Sequence, residues 1–188
     1  MVVICGQVGA AMLGTDAFQE VDVVGVTQPI TKWNYQIRRA EDIPWAVARA
    51  FYIAKSGRPG PVVLDFAKNA QTAMIDYAPQ TVNFIRSYNP VPSADAASIE
   101  EAARLINQSV KPLMLVGQGV ELAGARQELL ELCEKAQIPF GQTMLGLSAA
   151  PTNHPLNMGM LGMHGNLAPN VMTNQCDLLI AVGMRFDD

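Results

Sequence analysis

The sequence predicts an α/β protein built on parallel β-sheets with helices on both faces. Short apolar runs alternate along the chain with stretches in which apolar residues recur at helical spacing. The run at residues 61–66 is apolar almost throughout, which is typical of a parallel strand covered on both faces. Several of these runs end in glycine-bearing loops. Alternation of this kind forms parallel sheets joined by crossover helices.

The first part of the chain, residues 1–70, predicts strands at 2–5, 32–37 and 61–66. Residues 21–27 are apolar and β-branched, so periodicity leaves them open between strand and helix. We expect a helix from Asp42 to Gly57, because its apolar residues share one face and Pro44 suits its first turn. Gly57 is placed to end that helix.

A glycine-rich stretch, residues 6–20, follows the first strand. Its three glycines allow a tight turn. Thr15 or Asp16 can cap a helix that carries Phe18 and Gln19 just inside its start. Strand, turn and capped helix form the usual edge of a ligand site in an α/β sheet. An ordinary strand-to-helix turn explains the same pattern.

Residues 71–94 predict an interdomain linker, because they lack periodicity and are broken by prolines. A second α/β series then occupies residues 95–188. It predicts strands at 113–116, 138–142 and 177–182, a helix capped by the box from Ser98 to Glu101, and helices at 122–137 and 166–174. The chain begins almost inside a strand and stops directly after one, so we expect an excerpt of a longer protein.

Three glycine-bearing loops follow strands of the second series: residues 117–119, 143–146 and 183–188. Ligands of parallel sheets bind beyond the carboxyl ends of the strands, so we expect these loops to lie against a ligand. Gln118 interrupts the first loop, and the glycine spacing of a standard NAD fingerprint is absent. Arg185 could pair with an anion, and Asp187 and Asp188 could accept from sugar hydroxyls. A cluster of exposed charges at the end of the strand, without any ligand, explains these three residues equally well.

Composition excludes several classes of function. The 188 residues are 49% hydrophobic and 16% charged with a net charge of −4, which favours a globular core over a nucleic-acid binder. Cys5, Cys133 and Cys176 lack zinc-site spacing and predict buried thiols in a reducing cytoplasm. No apolar run approaches the roughly 18 residues of a membrane span, and no secretory signal is visible.

The sequence shows no nucleophilic triad. His164 lies between glycines in a loop, where it could bind a ligand or satisfy local backbone groups. His154 has no such context, so we interpret it as a solvated loop residue. Lys68 directly follows a predicted strand and could place a cation at the mouth of a pocket, although most such lysines are only solvated.

Several motifs together resemble the catalytic (large) subunit of the acetolactate synthases, a branch of the thiamine-diphosphate enzymes. The most specific are Gly-Thr-Asp-Ala-Phe-Gln-Glu at 14–20 and Leu-Gly-Met-His-Gly at 161–165. The segments at 6–8, 30–32, 56–62 and 183–188 also match, and the resemblance is weakest across the linker. Gly9 stands where many members have proline, and Gln118 replaces a glycine.

The resemblance implies a domain arrangement and a set of cofactors. Residues 1–70 would be the later part of a pyrimidine-binding domain, and residues 95–188 the earlier part of a Rossmann-like central domain that holds FAD. Thiamine diphosphate and Mg²⁺ would be the other cofactors. The glutamate that activates thiamine and the metal ligands would lie outside this chain, so the chain alone would be inactive.

The resemblance also implies roles for individual residues. Phe18 and Gln19 would lie near the thiamine ring and the substrate, across a dimer interface. Residues lining the entrance channel, where herbicides of the family bind, would be Gly9, Lys32, Lys68, Met163 and Asp188. The implied FAD contacts are Arg58, Gly117, Gln118, Gly119, Thr143, Met144, Leu161, Gly162, Met163, His164, Gly183, Met184, Arg185, Phe186 and Asp187.

The implied reaction condenses two pyruvates, or pyruvate and 2-oxobutanoate, with release of CO₂, in branched-chain amino-acid biosynthesis. The implied partners are a second copy of the chain and, in some members, a regulatory small subunit. Two alternatives stay open: a related carboligase or oxidase, such as glyoxylate carboligase or pyruvate oxidase, and a non-catalytic flavin- or nucleotide-binding module.

Overall fold

The computed structural model describes residues 1–186, so the expectations for Asp187 and Asp188 lie outside the described residues. The chain divides into two compact units, Met1–Pro92 and Ser93–Asp188. Among the described residues, none of the helices combines the length and apolar character that crossing a bilayer would need. Both units confirm the predicted fold class, since each contains a parallel sheet with helices on both faces.

The first unit contains a three-stranded parallel sheet in the order β1-β3-β2. Its strands are β1 (Val2–Gln7), β2 (Trp33–Ile37) and β3 (Val62–Ala67). Every residue of β3 is buried, as the continuous apolar run predicts for a strand covered on both faces. Within the register, Asp65 of β3 lies opposite Cys5 on one side and Gln36 on the other.

Helices cover both faces of this sheet. The three helices are α1 (Val23–Thr27), α2 (Ile43–Lys55) and α3 (Lys68–Thr72). Ala46 and Ala50 of α2 pack in one core cluster with Val62 and Leu64. On the opposite face, the Asn34 amide donates to the Val24 carbonyl at 2.7 Å, which ties α1 to β2. The ambiguous stretch at 21–27 is therefore largely helical.

The expected helix start at Thr15 or Asp16 is wrong. Residues 13–20 form successive turns, and α1 begins only at Val23, where the Asp22 side chain accepts from the Gly25 amide. Asp16 has φ 59° and Gln19 has φ 65°, the left-handed region that a right-handed helix cannot contain. Phe18 and Gln19 therefore lie in a loop and not on a helix.

The predicted linker packs against the first unit in part. Ile85 is buried in the core of this unit, and Val82 and Tyr88 pack against the same cluster. Pro90 lies against Gly57, which has φ +57° and follows the C-cap of α2. The limits of the linker itself stay a prediction.

The second unit contains a four-stranded parallel sheet in the order β6-β5-β4-β7. Helices α5 and α6 cover the face that carries Met114 and Phe140, and Pro169 of α7 packs over Gly141 on the other face. The elements, in chain order, are α4 (Ala96–Gln108), β4 (Pro112–Val116), α5 (Gln118–Ala123), α6 (Arg126–Ala136), β5 (Phe140–Gln142), β6 (Asn157–Met160), α7 (Leu167–Gln175) and β7 (Leu178–Val182).

Four details of the second unit differ from expectation. The helix predicted at 122–137 is two helices, separated by Gly124 in the left-handed region at φ 67°. Asp95 caps α4 by accepting from the Ser98 amide, in place of the predicted capping box. The helical spacing of Ile99, Ala102, Ala103 and Ile106 predicts one apolar face on α4, but of these four residues only Ile106 packs against the core. Strand β6 was not predicted, because a bulge and Gly159 at φ 95° break its alternation.

Candidate functional site

A long loop leaves the carboxyl edge of the first sheet after β1. We call residues 8–21 the 8–21 loop. Its first amide, that of Val8, donates to Oε1 of Gln7 at 2.9 Å, and the Gln7 amide donates to the Val21 carbonyl at 2.6 Å. The Ala10 amide donates to Oδ1 of Asn69 at 2.8 Å. One glutamine thus ties both ends of the loop to the sheet.

Glu20 organises the interior of the same loop. Its carboxylate accepts from the Gly14 amide and from the Ala17 amide, the second at 3.1 Å. These backbone donors, Gly14 first, lower the pKa of Glu20 below its ordinary value, because they stabilise the charged form. Asp16 and Gln19 take their positive φ angles within this hydrogen-bonded loop and not in a helix.

Phe18 and Gln19 stand on the outside of the 8–21 loop. The Phe18 side chain is 88% exposed and Gln19 is also exposed. A large apolar side chain in this position contributes nothing to the core of the unit, so it is available to a ligand or a partner. The structure thus places both residues on a fixed loop beyond the carboxyl edge of a parallel sheet.

The residues expected to line a substrate channel do not all come together. Lys68 and Gly9 lie at the carboxyl edge, where the Lys68 amide donates to the Val8 carbonyl at 3.3 Å. Lys32 precedes β2 and its amide donates to the Pro61 carbonyl, which places it at the amino edge of the same parallel sheet. Lys32 therefore does not belong to the cluster that contains Lys68.

Lys32 has a structural role instead. Its Nζ donates to the carbonyls of Ile53 and Ser56, each at 2.6 Å, and to the Tyr88 hydroxyl at 3.2 Å. Burial alone would raise the pKa of Tyr88, but hydrogen bonds to Ser56 and Lys32, together with the lysine charge, lower it overall. The lysine satisfies carbonyls at the end of α2 and fastens the 85–88 turn to them.

In the second unit, the three glycine-bearing loops meet at one edge of the sheet. The Gly117 amide donates to the Val182 carbonyl at 2.9 Å, and the Gly119 amide to the Gly183 carbonyl at 2.7 Å. The Thr143 amide donates to the Val116 carbonyl at 2.9 Å, so the 143–146 loop joins the same edge. The predicted convergence of strand ends is confirmed.

The glycines at this edge allow the loops to contact each other. A Cβ on Gly117 would lie 2.5 Å from the Gly183 carbonyl oxygen, and one on Gly119 would lie 2.6 Å from the Gly183 Cα. A Cβ on Gly146 would lie 2.3 Å from the Val116 carbonyl oxygen. The close contacts of Gly117 and Gly119 are with Gly183 after β7, and that of Gly146 is with the last residue of β4. Contact between these loops and a ligand stays a prediction.

The 161–165 loop is held by asparagines that the sequence reading did not single out. The Gly162 amide donates to Oδ1 of Asn170, whose own amide donates back to the Gly162 carbonyl at 2.8 Å. Asn166 accepts from the Met160 amide at 2.9 Å. Asn166 is the N-cap of α7 and Asn170 lies four residues further along that helix, directly after a glycine-bearing loop. This spacing was the signal available in the sequence. Within this loop His164 is exposed.

His154 is not a solvated loop residue. Its side chain is only 11% exposed, and its Nε2 lies 3.1 Å from Oε1 of Glu134. Its Nδ1 accepts from the Leu156 amide at 3.2 Å, and its ring packs 5.6 Å from that of Phe140. The residue anchors the loop before β6 to α6 and to the core.

Exposed apolar side chains surround the carboxyl edge of the second sheet. Met144 is 65% exposed, Met163 94% and Phe186 75%. Because such side chains normally avoid water, their concentration beside converging loops indicates a surface that another group covers. Gln118 and Arg185 are also exposed here, whereas Arg58 lies in the exposed 57–60 turn of the first unit.

No group of three acidic, histidine or cysteine side chains within residues 1–186 is arranged to hold a metal ion.

Residues 99–188 match the protein family described as "Thiamine pyrophosphate enzyme, central domain". The match covers the four-stranded sheet and its loops, so it concerns the second unit.

Curated relatives match the whole chain. The acetolactate synthase large subunit of Corynebacterium glutamicum is 45% identical over 188 residues, which are 100% of this chain and 30% of that protein. The acetolactate synthase isozyme 1 large subunit of Escherichia coli is 46% identical over 100% of this chain and 33% of its own length. The chain thus spans about a third of the length of these relatives.

A solved structure agrees with both units. An X-ray structure of an enzyme from Mycobacterium smegmatis, assigned as thiamin diphosphate-dependent, superposes with a TM-score of 0.78 at 27% identity. The superposition covers 98% of this chain and 35% of that one.

Proposed function

We propose that this chain is a segment of an acetolactate synthase catalytic subunit, because residues 99–188 match the thiamine pyrophosphate enzyme central domain and the whole chain is similar to acetolactate synthase large subunits. The whole protein would condense two pyruvates, or pyruvate and 2-oxobutanoate, with release of CO₂. The observation that carries the proposal is similarity to acetolactate synthase large subunits over all 188 residues, the 8–21 loop included.

Within this reaction, the 8–21 loop would present Phe18 and Gln19 to the thiamine ring and the substrate. Thiamine diphosphate supplies the nucleophilic carbon and the electron sink for decarboxylation of a 2-keto acid. Phe18 would exclude water from the reacting carbon, and the Gln19 amide would donate to a substrate or cofactor oxygen. The exposure of both side chains on a fixed loop supports this assignment.

The carboxyl edge of the second sheet would hold FAD. The exposed Met144, Met163 and Phe186 fit a flat, largely apolar ligand such as a flavin ring. The exposed polar groups of Gln118, His164 and Arg185 would contact the rest of the molecule. Mg²⁺ would be bound by residues outside this chain, as the resemblance implies.

The whole protein would act in the cytoplasm as a homodimer or larger assembly. The name "large subunit" carried by several relatives supports a regulatory small subunit as a further partner. Gly9, Lys68 and Met163 stay candidates for the substrate channel, whereas Lys32 is assigned to the end of α2.

The test is to express the full protein that contains this chain and supply pyruvate, thiamine diphosphate, Mg²⁺ and FAD. We expect acetolactate to form, and Phe18→Ala to reduce kcat/KM without lowering the unfolding temperature, because Phe18 lies outside the core. The absence of acetolactate, together with turnover of glyoxylate, would assign a related carboligase instead. A protein with no carboligase activity that still binds flavin would be the non-catalytic module.

A further inference from the structure

The central strand of the first sheet carries a buried carboxylate that the proposed function does not use. Asp65 is 0% exposed and lies in β3 among apolar residues. Within the described residues it has no ion pair, and its Oδ1 has no hydrogen-bond partner. Burying an ionised carboxylate without a compensating cation is costly, so its retention in the core calls for a physical explanation.

The partners of Asp65 are side-chain amides from both neighbouring strands. Its Oδ2 accepts from Nε2 of Gln7 in β1 at 3.2 Å and from Nε2 of Gln36 in β2 at 3.0 Å. Because Oδ2 of Asp65 accepts from both side chains, each glutamine turns its NH₂ group towards Asp65. The oxygen of each amide is thereby directed away from the carboxylate.

The orientation of Gln7 determines how the 8–21 loop attaches. With its NH₂ group facing Asp65, the second hydrogen of that group reaches the Val21 carbonyl, at an N···O distance of 2.6 Å. The Oε1 atom then accepts from the Val8 amide at 2.9 Å. A rotated amide would place its oxygen against the Val21 carbonyl and its NH₂ group against the Val8 amide, which would break both bonds.

Gln36 is bound by the same carboxylate but serves a different segment. Its Oε1 accepts from Nε of Arg38 at 2.8 Å, in the turn that leads to α2. No hydrogen bond in the described structure joins Gln36 to the 8–21 loop. The two glutamines therefore form a natural matched pair: both compensate Asp65, and only Gln7 holds the loop.

We infer that Asp65 is a positioning residue that fixes the 8–21 loop through the amide of Gln7. The effect of Asp65 on catalysis rests on the proposed function, because the loop carries Phe18 and Gln19. The ordering of the loop itself does not depend on which reaction the protein performs.

The test compares Gln7→Met with Gln36→Met in the full protein. Each substitution removes one amide from Asp65 and keeps a side chain of similar length. We expect hydrogen exchange of the amides of residues 8–20 to become about tenfold faster in Gln7→Met, because both hydrogen bonds between Gln7 and the loop are lost, and to stay unchanged in Gln36→Met. The kcat/KM for pyruvate should fall only in Gln7→Met.

The second part of the hydrogen-exchange test uses the variant Asp65→Asn. An asparagine amide no longer selects the orientation of Gln7, so we expect the loop amides to exchange faster while the amides of β1 and β3 stay protected. If Asp65→Asn does not fold, the glutamine pair still tests the attachment of the loop through Gln7, the step on which the role of Asp65 depends.

Equal loop exchange in Gln7→Met and Gln36→Met would overturn the inference, since Asp65 would then be only a core residue. Unchanged exchange in both variants would overturn it as well. If the wild-type protein makes no acetolactate but the exchange contrast is present, the positioning role stands and the proposed function fails. The two claims are therefore tested separately.

Discussion

The two units hold the loops at their carboxyl edges by different means. In the first unit, side chains of Gln7, Asn69 and Glu20 hold the 8–21 loop through hydrogen bonds to its backbone. In the second unit, backbone meets backbone directly, as where the Gly119 amide donates to the Gly183 carbonyl at 2.7 Å. The loop of the first unit therefore needs particular polar side chains. The loops of the second unit need glycine, because a side chain would keep the two backbones apart.

This difference determines which substitutions each edge tolerates. A loop held by side chains can be released by an isosteric change that leaves the space filled. A loop held by backbone contacts is disturbed only when an added atom forces the chains apart, and then the sheet edge must move with it.

Gly117→Ala should destabilise the second unit by about 1–3 kcal/mol, the usual cost of overpacking. The new Cβ would lie 2.5 Å from the Gly183 carbonyl oxygen, and backbone cannot rotate away as a flexible side chain can. Urea unfolding measures the loss. The matched control is Gly9→Ala in the first unit, where nothing lies within 4 Å and no change is expected. Equal stability of both variants would contradict the backbone-held description.

Lys32→Met should destabilise the first unit by about 1–3 kcal/mol, because two carbonyls at the end of α2 and the Tyr88 hydroxyl lose their donor. Thermal unfolding monitored by tyrosine fluorescence reports the change. Lys68→Met is the matched control, since that side chain is exposed and should affect the KM for pyruvate more than stability. A raised KM with unchanged stability in Lys32→Met would return this residue to the substrate channel.

Acidification should release the 8–21 loop. The pKa of Glu20 is lowered by the backbone donors of Gly14 and Ala17, so its stabilising effect is complete above its ordinary value of about 4.3. That effect is lost as the pH falls through the lower folded value. The rate of pepsin cleavage within residues 8–21, divided by the rate for an unstructured substrate at the same pH, should increase over this range, and the same ratio for Glu20→Gln should not change with pH. Identical pH dependence in both proteins would exclude Glu20 as the organising group.

The smallest expected effect concerns the reactivity of the cysteine thiols. Burial, followed by the charge of Glu134, raises the pKa of Cys133 to about 11. Because the thiolate is the reactive form, iodoacetamide at pH 8 should leave Cys133 unmodified while the half-buried Cys5 and Cys176 react first. Peptide mapping by mass spectrometry identifies the modified site, and activity should not depend on Cys133. Rapid labelling of Cys133 in the folded protein would show that its core opens.

Part of the candidate site was predictable from local pattern. The loops at 117–119, 143–146 and 183–186 were found because they follow apolar runs, and strands of a parallel sheet end at one edge. The helix expected after Thr15 was wrong because Asp16 and Gln19 take positive φ, which the capping pattern does not reveal. The contacts of Lys32 could not be predicted, because its partners lie 21 to 56 residues away in sequence.

The sequence by itself determined the α/β class, the parallel strands and the edges at which ligand-facing loops occur, because apolar periodicity and strand direction are local properties. Only the tertiary structure decided which polar groups meet. Asp65 and Gln7 are separated by 58 residues, and Asp65 and Gln36 by 29, yet the order β1-β3-β2 brings both amides to one carboxylate. Burial then makes those hydrogen bonds obligatory, because a polar group removed from water must find its partner within the protein.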